Sequence, residues 1–559
     1  MIGPAGRQSA AHARGYGGAI DAVIVILMLA LLLPRLDRFG GLPQTWETGV
    51  LTFWEALYRH STLMQFLREY VVCFPNGVFS EGHTALLYGI PALALMQVFG
   101  FSLWTLRLPS VGAVVLAAIL IRRTSARLYG WLAGATAGLA FACNAAVLFY
   151  GRYASSLAAT MLACTLALWA CARFVTARGW RTLPWAVVTA VALAVATLEY
   201  APGRLVALGL LAALPLGVWR HRTVWHIAGL VLLLALLAVG WRLERPCTRD
   251  FLAVRGEAIN TCLLQPECIQ AAVGHEPDGS WGDTLTVGWV WATRNLPAYA
   301  AFLWPGTNGL DYTLNDSGGG SLPYLAWPPW VVLAFLGAVG SLVRVLRWEY
   351  GVLFFWWLAI SVPGALLTSH ADPHRLALLT VPCAVLGGIA LEGLVAVLRS
   401  RLPMRAVSVV FGCAAVLTAC TVRHDLRVLP YLDTPVPAPA RALAAAMRDE
   451  RAVDVSTDLD TDERTWVVAE AARGRAEAAE PPRLLNDEMR QQLAAGDPAA
   501  IASTVGAGRL LLLHPAADFQ AAVPALSTAG DVSVRDGVMA VRRRGGTPTT
   551  VTEPRLPPE

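Results

Sequence analysis

Side chains that could act on a charged substrate are concentrated in five short polar segments of this chain. A carboxylate can take the proton from an attacking group, and a guanidinium can bind phosphate through paired hydrogen bonds. An anionic lipid head group together with a proton-abstracting carboxylate would need such a set. The segments contain Asp37 and Glu47; Glu81 and His83; Arg152; Glu199, Tyr200 and Arg204; and His370, Asp372, His374 and Arg375.

The composition between these segments is that of a membrane protein. Of the 559 residues, 56% are hydrophobic and only 15% are charged, whereas a soluble domain carries about 25% charged residues. The formal net charge is +5, and all 44 basic residues are arginine. The absence of lysine excludes a lysine Schiff base and a lysine phosphate clamp, which leaves arginine or histidine to hold an anion.

Eleven apolar runs are long enough to cross a bilayer, which takes roughly 17–25 residues. The first run has no small-residue cleavage site, so we interpret it as a retained span. The predicted crossings are 17–34, 107–121, 130–150, 154–172, 182–199, 204–219, 224–241, 326–343, 350–368, 376–397 and 405–422.

Arginine placement predicts the orientation of these crossings. The N-terminal segment and the alternate short connections contain 15 arginines against a single acid, Glu349. The arginines are Arg7, Arg14, Arg122, Arg123, Arg127, Arg173, Arg178, Arg181, Arg220, Arg222, Arg344, Arg347, Arg399, Arg401 and Arg405. Arginine-rich short loops stay in the cytoplasm. The N-terminus is therefore predicted to be cytoplasmic and the C-terminus extracytoplasmic, and all five polar segments fall on the outer side.

One further apolar run, residues 84–101, would reverse every later arginine loop if it crossed the membrane. We therefore interpret it as a re-entrant or interfacial helix on the outer side, preceded by an interfacial helix near 50–58. The alternative is twelve crossings with a cytoplasmic C-terminal tail.

Two other outer segments are polar. Residues 242–325 are predicted to form a polar loop. Residues 430–545 alternate helical patterns with short apolar strands, which predicts a small soluble α/β domain. The predicted helices are 441–450, 461–473, 485–494 and 516–527, and the predicted strands are 451–456, 508–513, 531–535 and 538–543. Residues 546–559 are typical of a disordered tail. The predicted fold is thus an all-α polytopic membrane domain over 1–429 followed by an extracytoplasmic α/β domain.

Each polar segment also has a simpler explanation. Glu47 could lie on the polar face of an interfacial helix, and Arg152, Arg204 and Arg375 could anchor the protein to lipid phosphates. His370, Asp372 and His374 have a spacing that could chelate a divalent cation, but no fourth ligand is evident. No cofactor is otherwise predicted.

The order of several short segments resembles the GT-C superfamily of integral-membrane glycosyltransferases. The bacterial branch that contains the lipid A aminoarabinose transferases is the most similar, with the protein O-mannosyltransferases as more distant relatives. The resemblance covers roughly residues 15–400. It rests on WETG (46–49), SEGHTALLYGIPALALMQVFGFSLWTLRLPS (80–110), YGRYASS (150–156), LEYAPGRL (198–205) and HADPHRLALLTVP (370–382).

The resemblance implies an inner-membrane enzyme that transfers a sugar, with inversion, from a polyprenyl-phosphate carrier to a lipid, glycan or protein acceptor outside the cytoplasm. It implies a carboxylate base in the first outer loop, usually in an Asp-Glu pair. Here Trp46 replaces the usual Asp, so Glu47 is the candidate base, with Asp37 or Glu81 in reserve.

The same resemblance implies ligands for the donor phosphate and sugar. These are Arg152, Arg204, Arg375, His83, Glu81, Tyr200 and His374. Relatives often have Lys-Pro-Pro or His-Pro-Pro before the re-entrant helix, where this chain has Glu81-Gly82-His83.

Three alternatives remain open. A secondary transporter would show repeat symmetry and charges near the bilayer midplane. A non-catalytic membrane scaffold would explain the missing acid. A ligase that uses polyprenyl-diphosphate donors would share much of this pattern. No nucleic-acid partner is predicted.

Overall fold

The computed structural model describes two compact units, one helical and one mixed, within 559 residues. The described residues are 4–34, 36, 86–100, 102–152, 156–199, 201–240, 270, 281–303, 328–362, 376–401, five positions between 412 and 420, 438–448, 453–457, 483–485, 487–505, 510–535 and 538–543.

The helical unit contains thirteen α-helices among the described residues. They are α1 (Pro4–Leu32), α2 (Leu86–Phe99), α3 (Leu103–Tyr129), α4 (Trp131–Ala142), α5 (Ala145–Arg152), α6 (Ser156–Thr176), α7 (Thr182–Glu199), α8 (Ala201–His221), α9 (Val224–Gly240), α10 (Trp281–Leu303), α11 (Pro328–Leu342), α12 (Trp348–Ser361) and α13 (Thr380–Arg401).

Five of these helical segments are long and apolar enough to cross a membrane, within the described part of the chain. They are Trp104–Tyr129, Ser156–Thr176, Gly179–Thr197, Pro202–His221 and Ala377–Leu398, and the bent pair formed by α4 and α5 would make a sixth. Four shorter apolar helices accompany them: Gly17–Leu32, Leu87–Phe99, Val224–Gly240 and Trp330–Leu342. The helical architecture is as predicted, while the count of eleven crossings stays a prediction.

One predicted crossing, 130–150, is interrupted in the structure. The chain bends by 55° between Trp131–Ala142 and Ala146–Arg152. The Asn144 side chain favours the start of a second helix, α5, at this point. Its Oδ1 accepts hydrogen bonds from the backbone N–H groups of Ala146 (3.0 Å) and Val147 (3.3 Å). Such a side chain caps the first turn of a helix.

Two further expectations need correction. Arg122, Arg123 and Arg127 do not lie in a connecting loop, because α3 continues to Tyr129. The predicted polar loop 242–325 contains α10, whose Tyr299 hydroxyl is 2.6 Å from Ser361 Oγ. Burial raises the pKa of the Tyr299 phenol, partly offset by its hydrogen bonds with Ser361 and Trp357.

The second unit is built on a five-stranded sheet. Its elements are α14 (Ala438–Arg448), β1 (Val453–Thr457), β2 (Arg483–Leu484), α15 (Asp487–Ala494), α16 (Pro498–Val505), β3 (Leu510–His514), α17 (Val523–Ala529), β4 (Gly530–Arg535) and β5 (Val538–Arg543). The strand order is β2-β1-β3-β5-β4, with β2, β1 and β3 parallel and the other two pairings antiparallel.

The sheet is covered on both faces. Leu511 and Leu513 pack with α15, α16 and α17 on one face, and Leu510 and Leu512 pack with α14 on the other. This is why β3 is a continuous leucine run, as expected for a strand buried on both sides. The soluble boundary at 430 and the tail from 546 stay predictions.

Candidate functional site

Two arginines lie at the C-terminal end of α1. Arg107 Nη1 donates to the Leu36 carbonyl (3.1 Å), and Arg152 Nη1 donates to the Leu31 carbonyl (3.3 Å). The last carbonyls of a helix have no partner within the helix and carry partial negative charge. Since α1 has no basic residue in its own last turn, Arg152 supplies a positive charge there from α5, while Arg107 of α3 binds the turn that follows the helix.

Glu199, the last residue of α7, lies beside the first turn of α2. Its side chain is buried, with 1% of the residue exposed, and Oε1 accepts a 2.6 Å hydrogen bond from the Leu87 backbone N–H. A carboxylate at a helix N-terminus is stabilised by the exposed N–H groups and the helix dipole. Glu199 therefore holds the start of the predicted re-entrant helix.

Local bonds fix the neighbouring start of α3. Ser102 and Thr105 form a capping box, and the Tyr88 hydroxyl of α2 donates to the Leu106 carbonyl (3.0 Å). Both contacts lie within a few residues of Arg107, which is 3% exposed. The buried guanidinium is thus held on a rigid helix start.

Arg204 lies at the beginning of α8 and bonds back to α7. Its Nε donates to the Thr197 carbonyl at 3.0 Å. The close approach depends on Gly203, because a Cβ there would lie 2.3 Å from the Ala196 carbonyl oxygen. The α7–α8 turn therefore places Glu199 and Arg204 at the same end of the unit.

These contacts join the ends of six helices, α1, α2, α3, α5, α7 and α8, into one region, which we call the Glu199 end. It contains Arg107, Arg152, Arg204 and Glu199, and each of these side chains bonds the backbone of another helix end or turn. Three guanidiniums on helix ends at one end of the unit are groups that suit an anionic ligand such as phosphate.

The structure therefore describes two of the residues proposed from the sequence, Arg152 and Arg204, and brings them to the same end. Seven others lie outside the described residues: Asp37, Glu47, Glu81, His83, Tyr200, His374 and Arg375. Sequence reasoning assigned no role to Arg107 and left Glu199 out of the ligand set. The available signal for Arg107 was an arginine inside an otherwise uncharged apolar stretch.

A metal site finds no support in the described part of the chain. No three His, Cys, Asp or Glu side chains group there in a way that could hold an ion. The spacing noted at His370, Asp372 and His374 lies outside the described residues.

No protein-family model and no curated protein matches this sequence. Solved structures do share its fold. ArnT from Cupriavidus metallidurans in the apo state is 13% identical with a TM-score of 0.51, covering 95% of this chain and 98% of that chain. ArnT from the same organism bound to undecaprenyl phosphate is also 13% identical with a TM-score of 0.51, covering 94% and 98%.

A third structure is an oligosaccharyltransferase from Archaeoglobus fulgidus tethered to an acceptor peptide that contains the NVT sequon. It is 10% identical with a TM-score of 0.50, and the match covers 96% of this chain and 75% of that chain. At these identities the likeness concerns the fold. It confirms the fold that the resemblance implied, because this chain shares the architecture of these transferase structures over most of its length.

Proposed function

We propose that this protein is a membrane glycosyltransferase that moves a sugar from a polyprenyl-phosphate carrier to an acceptor on the extracytoplasmic face. The observation that carries the proposal is the convergence of Arg107, Arg152 and Arg204 on one end of a GT-C fold. A similar structure holds undecaprenyl phosphate, whose phosphate is the kind of anion that such a cluster suits.

The bilayer placement belongs to the same proposal. Eleven crossings with a cytoplasmic N-terminus would put the Glu199 end and the C-terminal domain outside the cytoplasm, in the inner membrane of a bacterial cell. The arginine-rich opposite end would then face the cytoplasm, in agreement with the positive-inside rule.

The proposed reaction is a single displacement at the anomeric carbon. The acceptor hydroxyl or amine attacks that carbon and gives its proton to a carboxylate, while the bond from the carbon to the phosphate oxygen breaks. The carrier phosphate leaves with the electron pair and gains negative charge as the bond lengthens. Inversion follows because there is one attack.

The described arginines suit the leaving group in this reaction. Guanidiniums aimed at the phosphate stabilise charge that is larger in the transition state than in the bound donor. Arg107, Arg152 and Arg204 are the described candidates, and Arg375, His83, Glu81, Tyr200 and His374 are proposed to complete the donor site. Glu199 would position α2 beside it.

Glu47 is the proposed base, with Asp37 in reserve. The test uses membrane vesicles and a radiolabelled polyprenyl-phosphate sugar. Since a general base contributes about 10²–10⁴-fold, Glu47→Gln is expected to lower transfer by about that factor while donor binding persists. Glu488→Gln, an exposed acid of the C-terminal unit, serves as the control.

Wild-type transfer by Glu47→Gln would remove Glu47 as base, and loss in Asp37→Asn instead would assign the role to Asp37. No turnover of any polyprenyl-phosphate sugar by the purified wild-type chain would favour a scaffold or transporter. Turnover of a polyprenyl-diphosphate donor alone would favour the ligase class.

A further inference from the structure

A second cluster of arginines lies at the opposite end of the helical unit. Arg107 and Arg127 both belong to α3 and are twenty residues apart, which is about 30 Å along a helix. Arg127 contacts the last residue of α6, three residues after Arg173, and Arg178 and Arg181 follow in the next turn of the chain. We call these four side chains, with Trp180, the arginine patch. It lies at the ends of three candidate spans.

Contacts with α6 and α7 hold two members of the patch, Arg127 and Arg173, at the same helix end. Arg127 donates to Thr176 Oγ1 from both Nε (3.2 Å) and Nη2 (2.9 Å). The Arg173 guanidinium lies 5.4 Å from the Trp169 ring and 5.6 Å from the Trp185 ring. Thr176 and Arg173 are three residues apart on α6, so two like charges lie at one helix end, and an anion between them would offset their repulsion.

The described acids at this end are already engaged elsewhere. Asp21 binds Arg122 and Arg123, and Glu349 binds Arg220. Glu392, which lies against Gly130, accepts a hydrogen bond from the Ala133 N–H. The sequence between residues 82 and 198 contains eight arginines and no acid. Within the described residues, none of the four patch arginines forms an ion pair with a carboxylate, and the buried Nε of Arg173 has no hydrogen-bond partner.

The patch also has the aromatic composition of a membrane boundary. Trp180 lies between Arg178 and Arg181 and is 64% exposed. Tryptophan is enriched at head-group level, where the ring contacts lipid and the indole N–H stays near water. The anions available at that depth are lipid phosphates.

We infer that the arginine patch binds the phosphate of an anionic phospholipid, held between Arg127 and Arg173 with Trp180 at the level of its glycerol backbone. The site is separate from the donor site at the Glu199 end and does not depend on the proposed reaction. It would bind one lipid where the ends of α3, α6 and α7 meet, in addition to the general attraction between basic residues and an anionic membrane surface.

The test is native mass spectrometry of the full chain in neutral detergent, titrated with phosphatidylglycerol or phosphatidylcholine. Wild-type protein is expected to retain one phosphatidylglycerol tightly and phosphatidylcholine weakly. At about 1 kcal/mol per arginine near a lipid surface, R127Q/R173Q should weaken phosphatidylglycerol binding by roughly 10- to 30-fold.

The matched control removes two charges from the same end. R220Q/R222Q deletes one guanidinium that Glu349 already neutralises and one that stacks on Trp219 alone. It should bind phosphatidylglycerol nearly as wild type does. R127K/R173K keeps the charge and should recover part of the affinity, and size-exclusion profiles check that every variant is folded.

Equal losses of phosphatidylglycerol affinity in R127Q/R173Q and R220Q/R222Q would overturn the proposal, because they would show that the lipid responds to the total surface charge. Wild-type affinity in R127Q/R173Q would overturn it directly. Displacement of the lipid by millimolar inorganic phosphate would show a site for free phosphate, contrary to the proposal, whereas failure of phosphate to compete supports the lipid as ligand.

Discussion

The buried carboxylate of Glu199 accepts a 2.6 Å hydrogen bond from the backbone N–H of Leu87, a residue 112 positions earlier in the chain. This bond ties the end of α7 to the start of α2. Hydrogen bonds to charged groups contribute about 1.5–3 kcal/mol. The start of α2 therefore depends on one side chain from a distant helix.

Glu199→Ala is expected to destabilise the protein by about 2 kcal/mol, because the Leu87 N–H loses its acceptor. Glu199→Gln keeps an oxygen acceptor and should lose less. Unfolding of the purified chain by added detergent, followed by far-ultraviolet circular dichroism, measures the difference against Glu488→Gln. Stability of Glu199→Ala equal to that of the control would contradict this role.

Asp21 and Arg122 form the most buried ion pair among the described residues. Arg122 Nε lies 2.6 Å from Asp21 Oδ1, and the two side chains are 9% and 12% exposed. Removing one partner of a buried pair costs about 3–5 kcal/mol, since the other charge remains buried. Asp21→Asn should therefore lower the free energy of unfolding by about that amount.

Arg123 provides the internal comparison, because it binds the same carboxylate with a side chain that is 59% exposed. An exposed pair contributes about 0–1 kcal/mol, so Arg123→Gln should cost little. A double-mutant cycle of Asp21→Asn with Arg122→Gln measures the coupling. Equal costs for Arg122→Gln and Arg123→Gln would show that burial does not decide the strength of these contacts.

Gly130 separates α3 from α4 with φ 119° and ψ 164°, a backbone region that only glycine adopts readily. A Cβ there would lie 2.9 Å from Glu392 Cδ and 3.0 Å from both carboxylate oxygens. Glu392 could move away only by giving up the hydrogen bond that its Oε2 accepts from the Ala133 N–H at 3.0 Å.

Gly130→Ala should therefore cost both backbone strain and this bond, about 2–4 kcal/mol together. Gly100→Ala, at φ 79° with open space around the site, should cost the strain alone. In a Glu392→Ala background, Gly130→Ala and Gly100→Ala should destabilise the protein by more similar amounts. Thermal unfolding measures both losses of stability. An undiminished difference in that background would refute the contact between the two sites.

Asn144 caps α5, and Asn144→Ala should destabilise the chain by about 1 kcal/mol. Asn144→Asp keeps an acceptor oxygen for the same N–H groups and should retain the cap. Amide hydrogen exchange over residues 145–152 reports the effect, with faster exchange expected in the alanine variant only. Unchanged exchange in Asn144→Ala would mean that packing alone starts this helix.

Apolar runs bounded by charge predicted several helices closely. The expected crossing 182–199 corresponds to α7, and the expected strand 538–543 corresponds to β5. The bend at Asn144 escaped prediction because one polar residue barely changes the hydropathy of a run while its side chain competes for backbone N–H groups. The short strand β2 and helix α16 were also missed.

Long-range pairing was the larger gap at the site. Charge at the ends of runs identified Arg152 and Arg204, but nothing in the sequence relates Glu199 to Leu87 or Arg107 to Leu36. Asp21 lies inside a predicted crossing, and its partner is 101 residues away. A charged residue within an apolar run is expected to have a partner of opposite charge. Which residue that is depends on the packing of α1 on α3, which the sequence does not reveal.

The bend after α4 determines where Arg152 can reach. Helix α5 is eight residues long, about 12 Å, so a 55° turn at its start displaces its far end by about 11 Å from the position that a straight continuation would give. A guanidinium side chain cannot span that offset. The contact between Arg152 and the final turn of α1 thus exists because the polypeptide changes direction, and a sequence that straightened this corner would carry the same arginine to a different neighbour.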